Sequence, residues 1–440
     1  MKRHSWGILV LVVAAVLCLA ALAGEAGAGT PSPLPKGMVD LGSLAPPGSG
    51  NYWDNWSQAY GLNDLGQVVG GTGVAGTPLK HAIHPFFWTQ AGGMVDLGVP
   101  PNSDIDDEVL AQAINNAGEI IVNKYDPYCT AWKYTRGAAQ PWLKLGQISN
   151  SVTKGWAINQ KGEVAGAGDF GAHGAYPWEA CKWSAGGELV RLGWLPGSNW
   201  DSEALGINDA GVVVGWSVDA NFIRHAVMWD AAGTITDLGV LLEPDPDPST
   251  WNTSSTATGI NNHGAVVGYY NVGWGSDRAF LWTPAGGFVD LGTLPGGAAS
   301  HATAINDNGQ VTGWSDSLWY FGGFNHAFRW EGGKMSDLGP LGGDRFVNTN
   351  YWGYSSYGYA INKFGQVAGI SQNKESWNHA FFIDPKWPTP GLLAFYPFSG
   401  NAQDVSGHGY HGQVVGATLT QGYQGQAYSF NGTDQNPHYI

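Results

Sequence analysis

The sequence is poor in charge. Charged residues make up 12% of its 440 positions, about half of the ~25% that is usual in soluble domains. Only 20 residues are lysine or arginine against 35 acidic ones, so the formal net charge is −15. The sequence therefore lacks the concentrated basic patch that nucleic acids and anionic membranes require, and we expect neither as a partner.

Long apolar runs are missing after the N-terminus, so we expect no membrane span once the N-terminal segment is removed. The one such run, residues 7–23, follows the basic segment "MKRHSW" and precedes small residues up to position 28. This order is that of a secretory signal. We predict a signal peptide over 1–28, a leader linker over 29–36 and a secreted or cell-surface protein; an uncleaved membrane anchor is the alternative.

Familiar catalytic motifs are also missing. The sequence contains no H-E-x-x-H, no G-x-S-x-G and no phosphate-cradling glycine loop, the patterns that place a metal, a nucleophile or a nucleotide. The acidic segments 104–108 ("DIDDE") and 243–249 ("EPDPDPS") are candidates for Ca²⁺, but neither has the spacing of an EF-hand. We therefore predict no catalytic residue and no cofactor, with Ca²⁺ left open.

What the sequence has in abundance is glycine, with 67 residues, tryptophan, with 22, and repetition. A phrase consisting of a small residue, Ile or Leu, Asn, two variable residues and Gly occurs seven times. Its asparagines are Asn63, Asn115, Asn159, Asn208, Asn261, Asn306 and Asn362. The resulting period of about 50 residues is typical of propellers, solenoids and arrays.

Each repeat reads as four short β-strands. The segment 302–314, "ATAINDNGQVTGW", has the turn residues of a hairpin, since Asn and Asp bond their own backbone and Gly accepts positive φ. A third segment then ends in an aromatic residue, and a second turn leads to a segment such as "FVDLG". The third segments end in Trp88, Trp132, Trp183, Trp229, Trp282 and Trp330. We assign these rings to packing, and His84, His225, His326 and His379 to hydrogen bonds within a repeat.

Four-stranded repeats of this length predict an all-β, seven-bladed β-propeller over 37–385. The segment "MVDLG" at 38–42 precedes the first repeat, whereas the last repeat, ending at 385, lacks its fourth strand. We therefore expect the N-terminal strand to complete the last blade and close the ring. An open solenoid, which would need capping repeats, and an unusual barrel are the alternatives.

The mature chain keeps two cysteines, Cys129 and Cys181, in what would be an oxidising compartment. Aligning the third segments places the two thiols one residue out of step in neighbouring repeats, which makes a disulfide conceivable. Packed sheets lie ~10 Å apart, whereas bridged Cα atoms lie ~4.4–6.8 Å apart. Two buried free thiols are the simpler expectation.

These phrases closely resemble the HAF-type extracellular repeat family. The resemblance rests on "HAF" at 326–328 and 379–381, "DLGTL" at 290–294 and "AINDNGQVTG" at 304–313. It covers about residues 37–385 and implies a secreted or surface repeat protein, but no activity. The second and third repeats depart from the pattern, because Lys144 and Arg191 replace the acidic residue of "DLG".

The periodicity stops after residue 385, and a linker over 386–391 leads to a different segment. Residues 392–440 resemble the opening strands of a laminin-G or concanavalin-like jelly roll, with Asp404, Ser406 and Gly407 in the characteristic turn. A complete sandwich needs two full layers. We therefore expect an incomplete β-sandwich here, either a truncated module or strands that dock on the propeller.

The strand order sorts the loops by face. Turns between strands one and two and between strands three and four share one face, which we call the short-turn face; the remaining connections share the long-loop face. The long loops are rich in aromatic, Asn, Asp, Ser and Gly residues, which suit a sugar or protein surface. We predict ligand contacts from Trp53, Trp56, Trp200, Trp251, Trp274, Trp319, Tyr320, Tyr351, Trp352 and Trp377, and expect many of these rings to pack locally.

The leading functional prediction is a secreted, non-enzymatic recognition or scaffold protein that binds a glycan or a protein. An extracellular carbohydrate-active enzyme, a hydrolase or lyase using acidic residues on the same face, is the alternative. A purely structural surface protein is the third. A buried carboxylate pair near the channel would favour the enzyme, and an aromatic face without one would favour binding.

Overall fold

The protein is a seven-bladed β-propeller of four-stranded blades. The computed structural model describes residues 37–45, 54–74, 82–125, 128–148, 152–171, 178–198, 201–239, 254–271, 276–317, 324–342 and 354–384, together with the backbone of two strands between 418 and 429. In every blade the strands are antiparallel and follow chain order from the innermost to the third strand. The described part contains no helix long and apolar enough to cross a membrane.

The strands are numbered in chain order, beginning with β1 (Met38–Asp40). The first three blades comprise β2 (Ser57–Leu62), β3 (Val68–Gly73), β4 (Ile83–Thr89) and β5 (Gly93–Asp96); β6 (Val109–Ile114), β7 (Glu119–Lys124), β8 (Thr130–Thr135) and β9 (Trp142–Lys144); and β10 (Thr153–Ile158), β11 (Val164–Asp169), β12 (Trp178–Trp183) and β13 (Leu189–Gly193). The fourth and fifth comprise β14 (Ser202–Ile207), β15 (Val213–Val218), β16 (Arg224–Trp229) and β17 (Ile235–Gly239); and β18 (Ser255–Ile260), β19 (Val266–Asn271), β20 (Asp277–Thr283) and β21 (Gly287–Gly292).

The sixth blade comprises β22 (Ser300–Ile305), β23 (Val311–Ser317), β24 (Phe324–Glu331) and β25 (Lys334–Asp337). The seventh comprises β26 (Ser356–Ile361), β27 (Val367–Gln372) and β28 (Asn378–Ile383), and its outer strand is β1. In that pairing Met38 lies opposite Ile383 and Asp40 opposite Phe381. A separate hairpin joins β29 (Thr418–Gln421) and β30 (Gln426–Ser429); the rest of the predicted jelly-roll segment lies outside the described residues.

The repeated asparagine closes the first turn of each blade, as predicted from the sequence. In Asn208 the side-chain Oδ1 accepts hydrogen bonds from the N–H groups of Ala210 (3.1 Å) and Val212 (3.0 Å). The glycine three residues after each asparagine has φ between 71° and 81°, a conformation in which a Cβ is strained. The turn therefore needs both residues of the Asn-x-x-Gly phrase.

The same asparagines also join the blades, which the sequence did not predict. Each Nδ2 donates to the backbone carbonyl of the equivalent asparagine in the next blade, from Asn63 to Asn115 at 3.0 Å and onward around the axis. The last bond runs from Asn362 to the Asn63 carbonyl at 3.0 Å, so the seven bonds form a closed ring. All seven side chains are buried, at 0–6% exposure. We call this feature the asparagine ring.

Seven small apolar cores lie between neighbouring blades. The core between the third and fourth blades, for example, contains Ala165, Leu195 and the fully buried Trp229. Most of the third-strand tryptophans are buried or packed against such cores. Because every blade buries its faces against two neighbours, the long chain needs no single large core.

The histidine of the third strand pairs with the aspartate of the fourth strand in four blades. The Nδ1 atoms of His84, His225, His326 and His379 lie 2.8–2.9 Å from Asp96, Asp237, Asp337 and Asp40, respectively. In the third blade the pair is reversed in charge: Arg191 makes a short ion pair with the buried Glu179, which occupies the histidine position. The departure "RLG" is thus compensated within its own blade.

The structure corrects the sequence alignment of the second blade. Tyr134, opposite Ile120, occupies the place of the other third-strand tryptophans, and Trp132 lies two residues earlier, opposite Val122. Cys129 therefore precedes β8, whereas Cys181 lies inside β12. The two thiols are about three residues out of step, or ~10 Å along a strand, rather than one. Both are free and buried, so the disulfide considered from the sequence does not form.

Candidate functional site

The innermost strands carry two kinds of position. Their first and third residues are small and buried between blades, as Ser202 and Ala204 show at 0% exposure. Their sixth residues are aliphatic and enter the cores between blades. The second and fourth residues differ from blade to blade and most are half-buried. The chemical variety of the ring is concentrated at these second and fourth positions.

The axis of the ring contains a small cavity. Its volume is about 240 Å³, and the fourth to sixth residues of all seven inner strands line it. None of these lining residues is charged. The volume is below the ~300–1,000 Å³ of pockets that enclose a drug-sized ligand. The second residues of the inner strands do not line this cavity and lie toward its long-loop end, which we call the opening.

One side of this opening is an arc of six aromatic rings, which we call the aromatic arc. It begins with Tyr269 stacked on His301 (3.9 Å between ring centroids), and His301 in turn stacks on Trp314 (4.2 Å). It continues through Tyr357, Tyr359 and Tyr60 with centroid separations of 5.7–6.5 Å. All six rings are half-buried. Tyr60 and Tyr359 line the cavity, whereas His301 is stacked between Tyr269 and Trp314.

Polar groups hold these rings in place. Asp277 lies 2.8 Å from Nε2 of His301, and the amide of Asn325 donates to the Tyr357 hydroxyl at 2.9 Å. Burial raises the pKa of Tyr359 to about 12, so the phenol keeps its proton at neutral pH. The arc therefore presents ring faces together with hydroxyl groups that donate and accept hydrogen bonds.

The other side of the opening is a cluster of charged and indole side chains. It contains Lys154, Trp156 and Trp178 of the third blade with Glu203, Trp216 and Arg224 of the fourth. We call it the indole cluster. Both indole N–H groups nearest Glu203 donate to its carboxylate, from Trp156 at 2.7 Å and from Trp216 at 3.2 Å. These bonds fix the carboxylate and the two rings together.

Burial raises the pKa of Glu203, against the opposing effects of the two indole donors and of Lys154 and Arg224. Both carboxylate oxygens are engaged with indoles, so the group is placed as an anchor for the rings. The Lys154 ammonium lies 4.6 Å from the centre of the Trp178 ring, and the Arg224 guanidinium lies 4.0 Å from that of Trp216. Such cation–π contacts leave the outward N–H groups able to bind a ligand.

Contacts within the protein engage part of the acidic segment 104–108. The described residues contain no group of three or more His, Cys, Asp or Glu side chains that could hold an ion. Asp107 is buried and accepts a hydrogen bond from the Asp104 N–H at 2.9 Å, and Lys124 lies 2.9 Å from the same oxygen. The second acidic segment, 243–249, lies outside the described residues.

Two of the ten predicted contact residues are described. The Trp56 ring packs so closely over Gly71 that a Cβ added there would lie 3.3 Å from it, which is a packing role. Trp377 is half-buried and ends a tight turn in which its N–H donates to Asn373 Oδ1 at 3.0 Å. The other eight, Trp53, Trp200, Trp251, Trp274, Trp319, Tyr320, Tyr351 and Trp352, lie outside the described residues.

The sequence did carry a signal for the channel residues that were missed. Aligned on their asparagines, the seven inner strands read "SQAYGL", "VLAQAI", "TKGWAI", "SEALGI", "STATGI", "SHATAI" and "SYGYAI". The second and fourth letters vary from charged to aromatic while the others keep their size. Some of these varying residues, such as Leu110 and Gln112, are buried, and the half-buried ones are the candidates for binding.

Comparison with protein families gives one match. The model of a family described only as a protein of unknown function, DUF3466, matches residues 196–320. No curated protein matches the chain.

Solved structures that are similar include the β-propeller domain of the Trilobed protease from Pyrococcus furiosus, with 9% identity, 77% of this chain and 99% of that chain covered, and a TM-score of 0.48. A lectin from Burkholderia pseudomallei has 10% identity, coverage of 82% and 98%, and a TM-score of 0.40. TolB from Acinetobacter baumannii has 11% identity, coverage of 73% and 80%, and a TM-score of 0.36.

Proposed function

We propose that the protein is a secreted, non-enzymatic recognition protein that binds glycans at the long-loop face of the propeller. The observation that carries this proposal is the aromatic arc beside the channel, with its half-buried rings and fixed hydroxyl groups. A sugar ring has an apolar face that packs on an aromatic ring and hydroxyls that need hydrogen-bond partners. The arc offers both within one surface.

The indole cluster supports binding rather than hydrolysis. A glycosidase needs one carboxyl group that donates a proton and a second that acts as base or nucleophile. Both oxygens of Glu203 accept indole N–H bonds, so this carboxylate is already committed. The competing proposal of a carbohydrate-active enzyme is tested by incubating the glycans that bind and measuring new reducing ends over time.

The test of the binding proposal is a glycan array probed with the propeller, residues 37–385, in wild-type form and as Trp314→Ala and Tyr357→Ala. The proposal expects selective binding by the wild type and roughly fivefold or greater weakening in each variant, as stacking on one ring contributes ~1 kcal/mol or more. Phe364→Ala, a half-buried ring on the short-turn face, is the matched control and should bind normally.

Absence of any glycan bound by a folded wild-type protein would reject the proposal. Recognition of a protein partner and a purely structural role would then remain. Secretion is tested separately, by expressing the full chain and sequencing the N-terminus of the protein recovered outside the cell; we expect removal of residues up to the signal-cleavage site near position 28.

We also propose that the N-terminal strand locks the ring. The pairing of β1 with β28, the contact between Asp40 and His379 at 2.8 Å, and the asparagine bond from the seventh to the first blade all support closure. Removing residues 1–42 should lower the midpoint of thermal unfolding by several degrees and broaden the transition, because the last blade loses its outer strand. An unchanged midpoint would contradict ring locking.

A further inference from the structure

The indole cluster carries an excess of positive charge in an otherwise acidic protein. The chain has a net charge of −15 and only 20 lysines and arginines. Two of these, Lys154 and Arg224, act on the single carboxylate of Glu203. The cluster as defined thus has two cations and one carboxylate, and the Asp201 carboxylate accepts a hydrogen bond from the Trp178 backbone N–H at 2.9 Å.

Neither cation forms an ion pair within the described part of the chain. Among the described residues, the charged groups of Lys154 and Arg224 have cation–π contacts to Trp178, Trp156 and Trp216 and no ion pair. Half of the other described lysines and arginines have an acidic partner, such as Lys124 with Asp107. An ammonium held against indoles is partly stripped of water, which strengthens its attraction for an anionic group of a ligand.

The two sides of the opening are therefore complementary to different parts of one ligand. The aromatic arc suits the face of a sugar ring, and the indole cluster suits an acidic substituent. The cavity between them has no charged lining residue and so favours neither anions nor cations. We infer that the ligand is an acidic oligosaccharide, a glycan containing uronic acid units, whose carboxylates meet Lys154 and Arg224. This inference rests on the proposed glycan-binding function and names its substrate class.

The net charge of −15 opposes general adsorption of polyanions. Binding should therefore depend on the local geometry of the cluster and be visible with short oligomers. The probes are a galacturonic acid tetramer, the same tetramer with its carboxylates methyl-esterified, and the neutral galactose tetramer, each titrated into the wild-type propeller by calorimetry. We expect the free acid to bind at least about tenfold more tightly than either neutral form, the value of one charge-assisted hydrogen bond or more.

Substitution assigns the effect to the cluster. Lys154→Met and Arg224→Met keep much of the packing against the rings and remove the charges, and each should reduce the ratio of affinities for the acid and its ester. Lys144→Met is the matched control, because Lys144 also lies over an indole, 6.0 Å from the centre of Trp132, but on an outer strand. Arg224 is exposed, so that variant is expected to fold even if the Lys154 variant does not.

The outcomes separate the two proposals. Equal binding of the acid and its ester, or an acid preference that is unchanged in Lys154→Met and Arg224→Met, would overturn this inference while leaving glycan recognition intact. Binding of no oligosaccharide at all, here and on the array, would reject both. A preference for the acid that is reduced in the two cluster variants and persists in Lys144→Met would support the inference.

Discussion

The asparagine ring gives the most direct test of how the propeller is held together, and Asn208 is the clearest position. Its side chain donates to the Asn261 carbonyl at 3.2 Å and accepts from the N–H groups of Ala210 and Val212. It is 6% exposed. Asn208→Ala removes three hydrogen bonds at once and leaves two N–H groups and one carbonyl without those partners.

A typical intramolecular hydrogen bond contributes ~0.5–1.5 kcal/mol, and an unsatisfied buried group costs ~1–3 kcal/mol. Asn208 is almost fully buried and makes three such bonds, so we expect Asn208→Ala to lower the free energy of unfolding by roughly 2–5 kcal/mol. The free energy of unfolding is measured by urea titration, followed by tryptophan fluorescence and circular dichroism. Asn221→Ala, at an exposed turn residue, is the control and should stay within about 0.5 kcal/mol of wild type.

Two further variants separate the turn from the ring. Asn208→Asp keeps the oxygen that closes the turn but places a second oxygen toward the Asn261 carbonyl, so its destabilisation should grow as pH rises through the titration of the new carboxyl group. Asn159→Ala should cost more than Asn208→Ala, because Asn159 also donates to Glu163 at 2.7 Å. If Asn208→Ala unfolds like wild type, the ring bonds contribute nothing and the account of blade joining is wrong.

Paired and buried side chains elsewhere in the ring give three more expected outcomes. Burial raises the pKa of the Cys129 thiol to about 12 and raises that of Cys181 as well. Both thiols should therefore resist a water-soluble thiol reagent until the protein unfolds. The mass of the intact protein should not change on reduction, and a change would reveal a disulfide. Arg191→Ala should lower the free energy of unfolding, measured by chemical denaturation, by about 1.5–3 kcal/mol because it leaves the buried Glu179 without its partner. The double variant Glu179→His, Arg191→Asp should recover most of this loss, because it recreates the His–Asp pair of the other blades. No recovery would contradict this exchange. Burial tends to lower the pKa of His84, but its hydrogen bonds with the Asp96 carboxylate and the Ile105 carbonyl raise it overall. The stability that His84→Gln removes should therefore be fully present below pH 6.5, the ordinary pKa of histidine, and should disappear as pH rises through the raised pKa. A difference in stability between variant and wild type that does not vary with pH would refute the assignment.

Much of the fold could be predicted because the repeat records it directly. The Asn-x-x-Gly phrase predicts a tight turn, and the period of the repeat predicts the length of a blade. The histidine at a fixed position of the repeat pairs within its blade as expected, for example His225 with Asp237. The second blade was misaligned because Trp132 was taken as the end of the third strand. Its place belongs to Tyr134, and only strand pairing, which depends on residues distant in sequence, distinguishes the two.

The ring of bonds between asparagines was beyond sequence reasoning for a physical reason. Closing the turn uses the Oδ1 atom, and this explains the residue locally; serine or aspartate could do the same. The donor that reaches the next blade, such as Nδ2 of Asn306 to the Asn362 carbonyl at 2.7 Å, acts across 56 residues of chain. The requirement for an amide at this position follows only when both functions are seen together.

The candidate site shows why function in a repeat protein collects at the variable positions. A residue such as Ala204 must be small because two blades close on it, and it is fully buried. Its neighbours Glu203 and Leu205 are half-buried, and the inner strands of other blades carry different residues at these two positions. Since seven strands present such free positions around one axis, a few substitutions can assemble an aromatic side and a charged side from distant parts of the chain. Selection for a ligand therefore leaves the constant phrase intact and appears as irregularity within it, which is where a search for binding residues in such repeats should begin.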